Sequence, residues 1–193
     1  LELTYKMYEI IATEMLAVGY NAIFAPCVDI IASPNSMLGA RSFGDNPKGV
    51  GLHAAAAVQG ALSTGIITTA KHFPGHGHTE IDTHRELPIV NLTLQELKEG
   101  DLYPFLEAIR AGADMIMTSH IVYLNIDPDR PATLSPLILQ NVLRQEMNFS
   151  GLVISDSMNM GAIKKYYTPE ESIVKAIAAG VDMIMLAEEH YDY

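Results

Sequence analysis

The sequence is poor in cysteine and in basic residues, and it lacks long apolar runs and glycine-rich phosphate motifs. A single cysteine, Cys27, excludes an internal disulfide framework and any metal site built from several cysteines. Lys and Arg number 12 against 23 Asp and Glu, a net charge of -11, and no basic cluster interrupts this acidity, so we expect no nucleic-acid partner. No apolar run approaches the roughly 20 residues that a membrane-spanning helix needs, so we expect no membrane span.

The residues that are present predict an alternation of strands and helices. The chain of 193 residues is 49% hydrophobic and 18% charged, which provides enough apolar mass for one sizeable core. Five short apolar runs rich in β-favouring residues predict strands buried on both faces, at 21–30, 65–73, 113–121, 151–159 and 181–189. Segments with helical periodicity lie between them, at 47–63, 93–112, 135–147 and 168–180. Two of these segments open with capping-box spacing, Thr93 with Glu96 and Thr168 with Glu171, and two end in Ala-Gly.

Alternating strands and helices predict an α/β fold with a parallel sheet, either an open doubly wound sheet or a closed TIM-type (β/α)8 barrel. The barrel is favoured because ionisable residues follow successive apolar runs, as they do where side chains project from the C-terminal ends of barrel strands. These residues are Asp29, Lys71, His72, His120, Asp156 and Glu188. An open nucleotide-binding sheet would be expected to carry a glycine-rich phosphate turn, and the sequence contains none.

The number of units predicts that the barrel is incomplete. A whole barrel has eight strand and helix units, whereas about five are recognisable over residues 1–193. The chain opens in an uncapped helical pattern and stops just after an apolar run, so both ends look cut. We therefore expect residues 1–193 to form a partial barrel domain that lacks the first strands and the last strand.

The most unusual segment is KHFPGHGHTEIDTHRELP, residues 71–88, which contains four histidines. A metal site, a proton-transfer site and a solvated loop are the three interpretations of such a segment. Its prolines and glycines forbid a helix, so the histidines do not have the helical spacing of HExxH zinc ligands. We predict no metal, and a metal-dependent barrel hydrolase that uses His76, His78 and His120 is the alternative.

Two features of the sequence suit proton transfer and nucleophilic attack. Asp82 precedes His84 by two residues, so its carboxylate can hold the imidazole in one tautomer and raise its basicity. Asp156 directly follows an apolar run, where a carboxylate can attack or stabilise an electrophilic carbon. Each feature has a second interpretation: Asp-Thr-His is an ordinary loop sequence, and Asp156 has the position of an N-cap for the next helix.

Two basic side chains lie at a predicted strand end, and a third lies in a loop-forming segment. Lys71 and His72 end the second apolar run, where they can donate hydrogen bonds to the hydroxyl groups of a ligand or form a salt-bridged strand end. Arg41 lies in GARSFGDNP, a loop-forming segment in which an arginine is usually solvated. The residues alone leave these alternatives open.

KHFPGHG followed by Asp82-Thr83-His84 resembles the signature of glycoside hydrolase family 3, specifically its β-N-acetylglucosaminidase (β-hexosaminidase) branch. The likeness continues, in the family's order, through FAPCVDI, ARSFGDNP, ADMIMTSHI, PATLSP, LRQEMNFSGLVISDSMNMGAI and AGVDMIML. It covers nearly the whole chain, and several motifs in order are more specific than any one of them.

The resemblance implies a retaining exo-β-N-acetylglucosaminidase that removes terminal β-linked N-acetylglucosamine from cell-wall muropeptides, as in peptidoglycan recycling, or from chitin-type oligosaccharides. It implies no cofactor. By the same resemblance Asp156 is the nucleophile, His84 is the acid/base and Asp82 orients His84. The implied sugar-binding residues of the −1 subsite are Arg41, Lys71, His72 and His120. A histidine can replace the usual second carboxylic acid because an imidazolium poised near pH 7 can first give and then take a proton.

The sequence departs from the family pattern in its length. Complete members carry, on an earlier strand, an acidic substrate-binding residue in a DQEGG-like motif that these residues do not include. A complementary segment that completes the barrel is therefore an expected partner, and the isolated chain is expected to be weakly active or inactive. A β-glucosidase-type family 3 hydrolase and a sugar-binding fragment without activity remain alternatives, and the compartment is open between cytoplasm and cell envelope.

Overall fold

The computed structural model describes residues 1–33, 36, 38–80 and 82–187. Glu188, predicted to follow the fifth strand, lies outside this described part. Within it, none of the helices is both long enough and apolar enough to traverse a lipid bilayer. Its strands are, in chain order, β1 (Ala22–Ile23), β2 (Ile67–Phe73), β3 (Ile89–Val90), β4 (Met115–Thr118), β5 (Val122–Tyr123), β6 (Asp127–Pro131) and β7 (Leu152–Ile154).

A parallel sheet forms the centre of the described part, with the strand order β1, β2, β4, β7. The register places Thr69 beside Met115 and Met115 beside Leu152. The fifth apolar run follows β7 through a parallel bridge between Ile154 and Met183. These strands add in chain order in one direction, as in a barrel, whereas a doubly wound sheet reverses direction at a switch point. The predicted α/β fold with a parallel sheet is confirmed.

Helices connect these strands and cover the sheet. They are α1 (Glu2–Ala17), α2 (Pro47–Leu62), α3 (Leu94–Glu99), α4 (Leu102–Arg110), α5 (Gly161–Lys164) and α6 (Pro169–Ala179). Short 3-10 helices span Gly39–Arg41 and Ala132–Leu134, and a π-helix spans Leu137–Glu146. Both predicted capping boxes are present, at Thr93 for α3 and at Thr168 for α6. Gly180 closes α6 with φ at 114°, a left-handed conformation that a residue with a Cβ rarely adopts.

The prediction of one helix over 93–112 is wrong, because this segment is divided into α3 and α4. Asp101 lies at the break, where it is buried and pairs with Nε2 of His78 at 2.9 Å. The segment predicted as a helix over 135–147 is helical, but with π-helical hydrogen bonding. A carboxylate at the helix break therefore contacts the histidine-rich segment.

A second sheet, with the strand order β3, β5, β6, is not apparent in the sequence pattern. β3 pairs in parallel with β5, and β5 pairs antiparallel with β6. Tyr123 of β5 is buried, and its hydroxyl donates a hydrogen bond to the Gly75 carbonyl. This sheet therefore supports the first turn of the histidine-rich segment.

The core packs helices against the parallel sheet, and beside β2 these helices are α2 and α4. Phe73 of β2 and Phe105 of α4 are fully buried and meet edge to face, with their ring centroids 5.2 Å apart. This geometry suits the opposite signs of charge at the face and the edge of an aromatic ring. Val58 of α2 belongs to the same buried cluster. The packing fixes the C-terminal end of β2, where Lys71 and His72 lie.

Candidate active site

A cleft of about 150 Å³ lies at the C-terminal ends of β2 and β7. Five of the predicted site residues line it: Arg41, Lys71, His72, His84 and Asp156. They meet because parallel strands bring their C-terminal ends to one edge of the sheet. The cleft is also lined by Phe24, His76, Thr83, Met117, Met160 and Met185.

Asp156 is separated from the end of β7 by one residue, Ser155. Its carboxylate accepts a hydrogen bond from the Ser157 amide at 2.7 Å. Burial by itself raises the pKa of this carboxyl, but the charge of His72, the hydrogen bond from the Ser157 amide and the charge of Lys71 leave the pKa below its ordinary value of 3.8. Asp156 is therefore a carboxylate at neutral pH. The next helix, α5, has Met160 as its N-cap, so Asp156 does not cap a helix.

Asp82 and His84 form a hydrogen-bonded pair at the edge of the cleft. Asp82 Oδ1 accepts a hydrogen bond from the His84 amide at 2.9 Å and lies 2.8 Å from His84 Nδ1. Burial by itself raises the pKa of Asp82, but the hydrogen bonds from His84 lower it below the ordinary 3.8, so the carboxylate is ionised. An ionised carboxylate only accepts, so Nδ1 carries a proton and Nε2 is the nitrogen that can exchange a proton with a ligand.

Asp29, at the end of the first apolar run, is fully buried beside the cleft. Its carboxylate accepts hydrogen bonds from the amides of His72 and His76, at 3.1 and 2.7 Å, and lies 2.8 Å from His72 Nδ1. The Cys27 thiol also donates to it, at 3.2 Å. Burial by itself raises the pKa of Asp29, but the charge and hydrogen bond of His72 lower it to about 2. His72 is thus salt-bridged, one of its two predicted roles, and it also lines the cleft.

Lys71 in β2 and Arg41 at the end of its 3-10 helix supply positive charge to the cleft. The charge of Lys71 contributes to the lowered pKa of Asp156. Arg41 is exposed, as its loop composition indicates, and still lines the cleft. Both side chains can donate hydrogen bonds to ligand oxygens, and their assignment to sugar binding stays a prediction.

His120, predicted to bind sugar, is not among the described residues that line the cleft. It is 1% exposed, and its Nε2 and Nδ1 lie 2.9 Å from the Ser157 carbonyl and 2.8 Å from Thr133 Oγ1. A carbonyl only accepts, so Nε2 carries a proton and donates it to Ser157. The Thr133 hydroxyl contacts Nδ1 and also donates to the Ser119 carbonyl, at 3.0 Å. Burial lowers the pKa of His120, which favours the neutral ring. In this structure His120 supports the turn that carries Asp156.

The three histidines of the metal hypothesis do not converge within the described ranges. His76, His78 and His120 each bond to a different residue. Among the residues that the structure describes, one group of potential ligands has donor atoms within 4.8 Å of one another, and it consists of Cys27, Asp29 and His72. These three side chains already bond to one another, and burial raises the pKa of the Cys27 thiol, which keeps it protonated. A protonated thiol is a poor metal ligand, so the group fits a hydrogen-bonded cluster better than a metal site.

Three buried polar residues have no role in the predicted glycosidase site: Asp29, His76, which the sequence suggests only as a metal ligand, and Thr83. The available signal is weak, because Asp29 merely ends an apolar run and the other two lie in the segment 71–88. Their importance depends on partners far along the chain or across a loop. The structure brings them together, and the spacing of the sequence does not.

Comparison with known proteins places this site in a family. The family described as glycosyl hydrolase family 3 N terminal domain matches residues 1–193. The chain belongs to glycoside hydrolase family 3. The chain is also similar to a beta-hexosaminidase of Hydrogenovibrio crunogenus. The two are 39% identical over 189 residues, which are 98% of this chain and 53% of the relative. A beta-hexosaminidase of Pseudomonas aeruginosa is 35% identical over 180 residues, 93% of this chain and 54% of the relative.

Solved structures agree with the family 3 assignment. A glycoside hydrolase family 3 beta-N-acetylglucosaminidase from Paenibacillus sp. str. FPU-7 has a TM-score of 0.94 and 40% identity, over 96% of this chain and 36% of that one. NagZ from Neisseria gonorrhoeae has a TM-score of 0.87 and 33% identity, over 96% of this chain and 52% of that one. The chain spans about half the length of both beta-hexosaminidases. The resemblance to this branch of family 3 is confirmed.

Proposed function

We propose that the full-length protein is a retaining β-N-acetylglucosaminidase that removes terminal β-linked N-acetylglucosamine from cell-wall muropeptides or chitin-type oligosaccharides. One observation carries the proposal: an ionised carboxylate, Asp156, and a histidine oriented by a carboxylate, His84, line the same cleft. Retaining hydrolysis needs a nucleophilic carboxylate and a second group that first gives and then takes a proton. The substrate class is supported by the Paenibacillus relative, a beta-N-acetylglucosaminidase.

In the first step of the proposed reaction, a carboxylate oxygen of Asp156 attacks the anomeric carbon, and the bond from that carbon to the leaving-group oxygen breaks. The proton on Nε2 of the His84 imidazolium moves to that oxygen, so the leaving group departs as an alcohol. Ionised Asp82 stabilises the imidazolium before transfer and holds Nδ1 protonated throughout. The products of this step are a glycosyl ester of Asp156 and a neutral His84.

In the second step, a water oxygen attacks the anomeric carbon, and the ester bond to Asp156 breaks. Neutral His84 takes the proton of that water, which restores the imidazolium and releases the sugar with its original configuration. Arg41, Lys71 and His72 donate hydrogen bonds to the oxygen atoms of the sugar in this proposal. The positive charge around Asp156 keeps it ionised when it becomes a leaving group.

The full-length protein tests the proposal with 4-nitrophenyl N-acetyl-β-D-glucosaminide. We expect Asp156→Asn to reduce kcat by roughly 10⁴-fold or more, the scale found when a nucleophile is removed. Exposed Asp45, outside the cleft lining, gives the control variant Asp45→Asn, which should retain wild-type turnover. A 5-fluoro glycosyl reagent should label the peptide that contains Asp156, as seen by mass spectrometry. Turnover that survives in Asp156→Asn, or a label on another residue, contradicts the assignment.

The same assay separates the alternatives. Preference for 4-nitrophenyl β-D-glucoside would indicate a β-glucosidase-type hydrolase, and loss of activity with a chelator would indicate a metal-dependent one. Binding of N-acetylglucosamine by the full-length protein without turnover would indicate a sugar-binding protein. Each of these results would replace the proposed function.

A further inference from the structure

The loop that carries the Asp82 and His84 pair is bonded to the protein interior through the residue between them. Thr83 is 5% exposed, whereas the His84 side chain is 47% exposed. The Thr83 hydroxyl oxygen lies 3.2 Å from Nε2 of His76. The loop therefore presents His84 at the mouth of the cleft while Thr83 anchors it from below.

His76 is in turn fixed by its own neighbours. Its amide donates to Asp29 at 2.7 Å, and its ring lies edge-on to the His72 ring at a centroid distance of 5.5 Å. Its Nδ1 lies 3.3 Å from Thr79 Oγ1. A neutral imidazole has one N–H donor and one lone pair, so one threonine hydroxyl donates to the ring and the other accepts from it. Either tautomer therefore gives a hydrogen bond between His76 and Thr83.

A second attachment holds the outer side of the same loop. The Thr83 carbonyl accepts from the Ala162 amide at 3.1 Å, and the His84 carbonyl accepts from the Gly161 amide at 2.9 Å. A Cβ at Gly161 would lie 2.6 Å from the His84 carbonyl oxygen, so this close approach requires glycine. Both amides lie at the start of α5, shortly after the turn that carries Asp156. The loop is thus bonded on one side to the interior and on the other to the nucleophile's own segment.

We propose that His76 is a positioning residue, which through the Thr83 hydroxyl holds Nε2 of His84 where it can transfer a proton. This inference rests on the proposed function. In it His76 has no contact with the reacting atoms and acts only through Thr83. Asp82 orients the His84 ring within the loop, but a carboxylate two residues away cannot fix the loop itself. Catalytic groups must be held to about 0.5 Å, so a loop carrying a half-exposed acid/base needs such an anchor.

The test uses the full-length protein and the variants Thr83→Val, Thr83→Ser and His76→Leu. Valine has the shape of threonine without the hydroxyl, and serine keeps the hydroxyl, so the two form a matched pair. The measurement is kcat/KM for two N-acetyl-β-D-glucosaminides, one with a phenyl and one with a 2,4-dinitrophenyl leaving group. Phenolate departs only with help from an acid, whereas 2,4-dinitrophenolate departs with almost none.

We expect Thr83→Val and His76→Leu to lose about tenfold with the phenyl substrate, the order set by one lost hydrogen bond, and less than about threefold with the dinitrophenyl substrate. Thr83→Ser should stay within about threefold of wild type with both. In a His84→Ala background, Thr83→Val should add no further loss, because both changes act on one proton transfer.

Three results would overturn the inference: equal losses with the two substrates, a serine variant as impaired as the valine variant, or a Thr83→Val enzyme with wild-type kinetics. A full additional loss from Thr83→Val in the His84→Ala background would overturn it too, since that would reveal a general structural role. Failure of the wild-type protein to hydrolyse either substrate would instead reject the proposed function itself.

Discussion

Replacing Asp29 by asparagine should strongly destabilise the protein although the side chain keeps its size. Asp29 is fully buried, and its two carboxylate oxygens accept from the amides of His72 and His76, from the His72 ring and from the Cys27 thiol. Asparagine has a single accepting oxygen, and its NH₂ group would face the N–H and S–H groups that now donate to Asp29. At least one buried donor then loses its partner, which costs about 1–3 kcal/mol.

The pKa of Asp29 gives a second value for the free energy that these hydrogen bonds contribute. Folding lowers this pKa from 3.8 to about 2, and each pKa unit is worth about 1.4 kcal/mol, so the ionised carboxylate contributes on the order of 2 kcal/mol to the free energy of unfolding. Because the folded-state pKa is the lower one, this contribution is complete above pH 3.8 and is lost as the pH falls toward 2. The two magnitudes describe the same hydrogen bonds and are not added, so we expect a loss of about 1–3 kcal/mol at pH 7.

Urea denaturation of the full-length protein at pH 7, 3.5 and 2.5 measures this effect. In thermal denaturation at pH 7 the Tm should fall by roughly 2–12 °C, given about 2–4 °C for each kcal/mol in a domain of this size. The control is Asp45→Asn, at an exposed position, which should change stability by no more than about 0.5 kcal/mol. The reasoning is refuted if Asp29→Asn is as stable as wild type at pH 7, or if its stability deficit at pH 2.5 is as large as at pH 7.

Two further predictions concern helix packing and pH dependence. A Cβ at Gly60 of α2 would lie 2.2 Å from the Tyr5 carbonyl oxygen, so Gly60→Ala should push α1 away from α2. We expect it to lower the free energy of unfolding by about 1–3 kcal/mol, measured by thermal unfolding. The control is Gly49→Ala, whose added Cβ would meet no atom closer than 3.7 Å and which should be neutral or stabilising. Equal effects of the two alanines would contradict this. In the proposed mechanism Asp156 must be ionised, and its pKa lies below 3.8, so its titration should reduce kcat/KM only below that pH. A loss of kcat/KM that is already complete at pH 5 and persists in His84→Ala would contradict this.

The main strands and the residues that end them are predictable from sequence for a local reason. A parallel strand covered on both faces must be an apolar run, and its last residues reach the open edge of the sheet, as Lys71 and Asp156 do. The pair of Asp82 and His84 is predictable as well, because its hydrogen bonds span only two residues. Local pattern and local geometry agree at these positions.

The remaining features depend on contacts between distant segments. Asp29 bonds to His76, 47 residues away, and nothing near Asp29 in the sequence indicates this partner. At the helix break, the Asp101 carboxylate pairs with His78, 23 residues earlier, a partner that the local sequence does not indicate. β3 and β5 have two residues each, too few for any periodicity to reveal a strand.

His120 illustrates a different difficulty. Its position after an apolar run places it correctly at the strand end, but position alone does not say which way a ring faces. The hydroxyl of Thr133 and the carbonyl of Ser157, from two other segments, turn it into the protein. The direction in which a side chain points at a strand end therefore depends on tertiary contacts.

Arg41, His84 and Asp156 reach the cleft from three different connections between strands, whereas Lys71, His72 and Met117 reach it from the strands themselves. Exchange of residues in one connection can therefore alter what the cleft accepts while the hydrogen bonding between the strands stays intact. Evolution can vary the ligand of such a cleft one connection at a time, without rebuilding the strand that precedes Asp156.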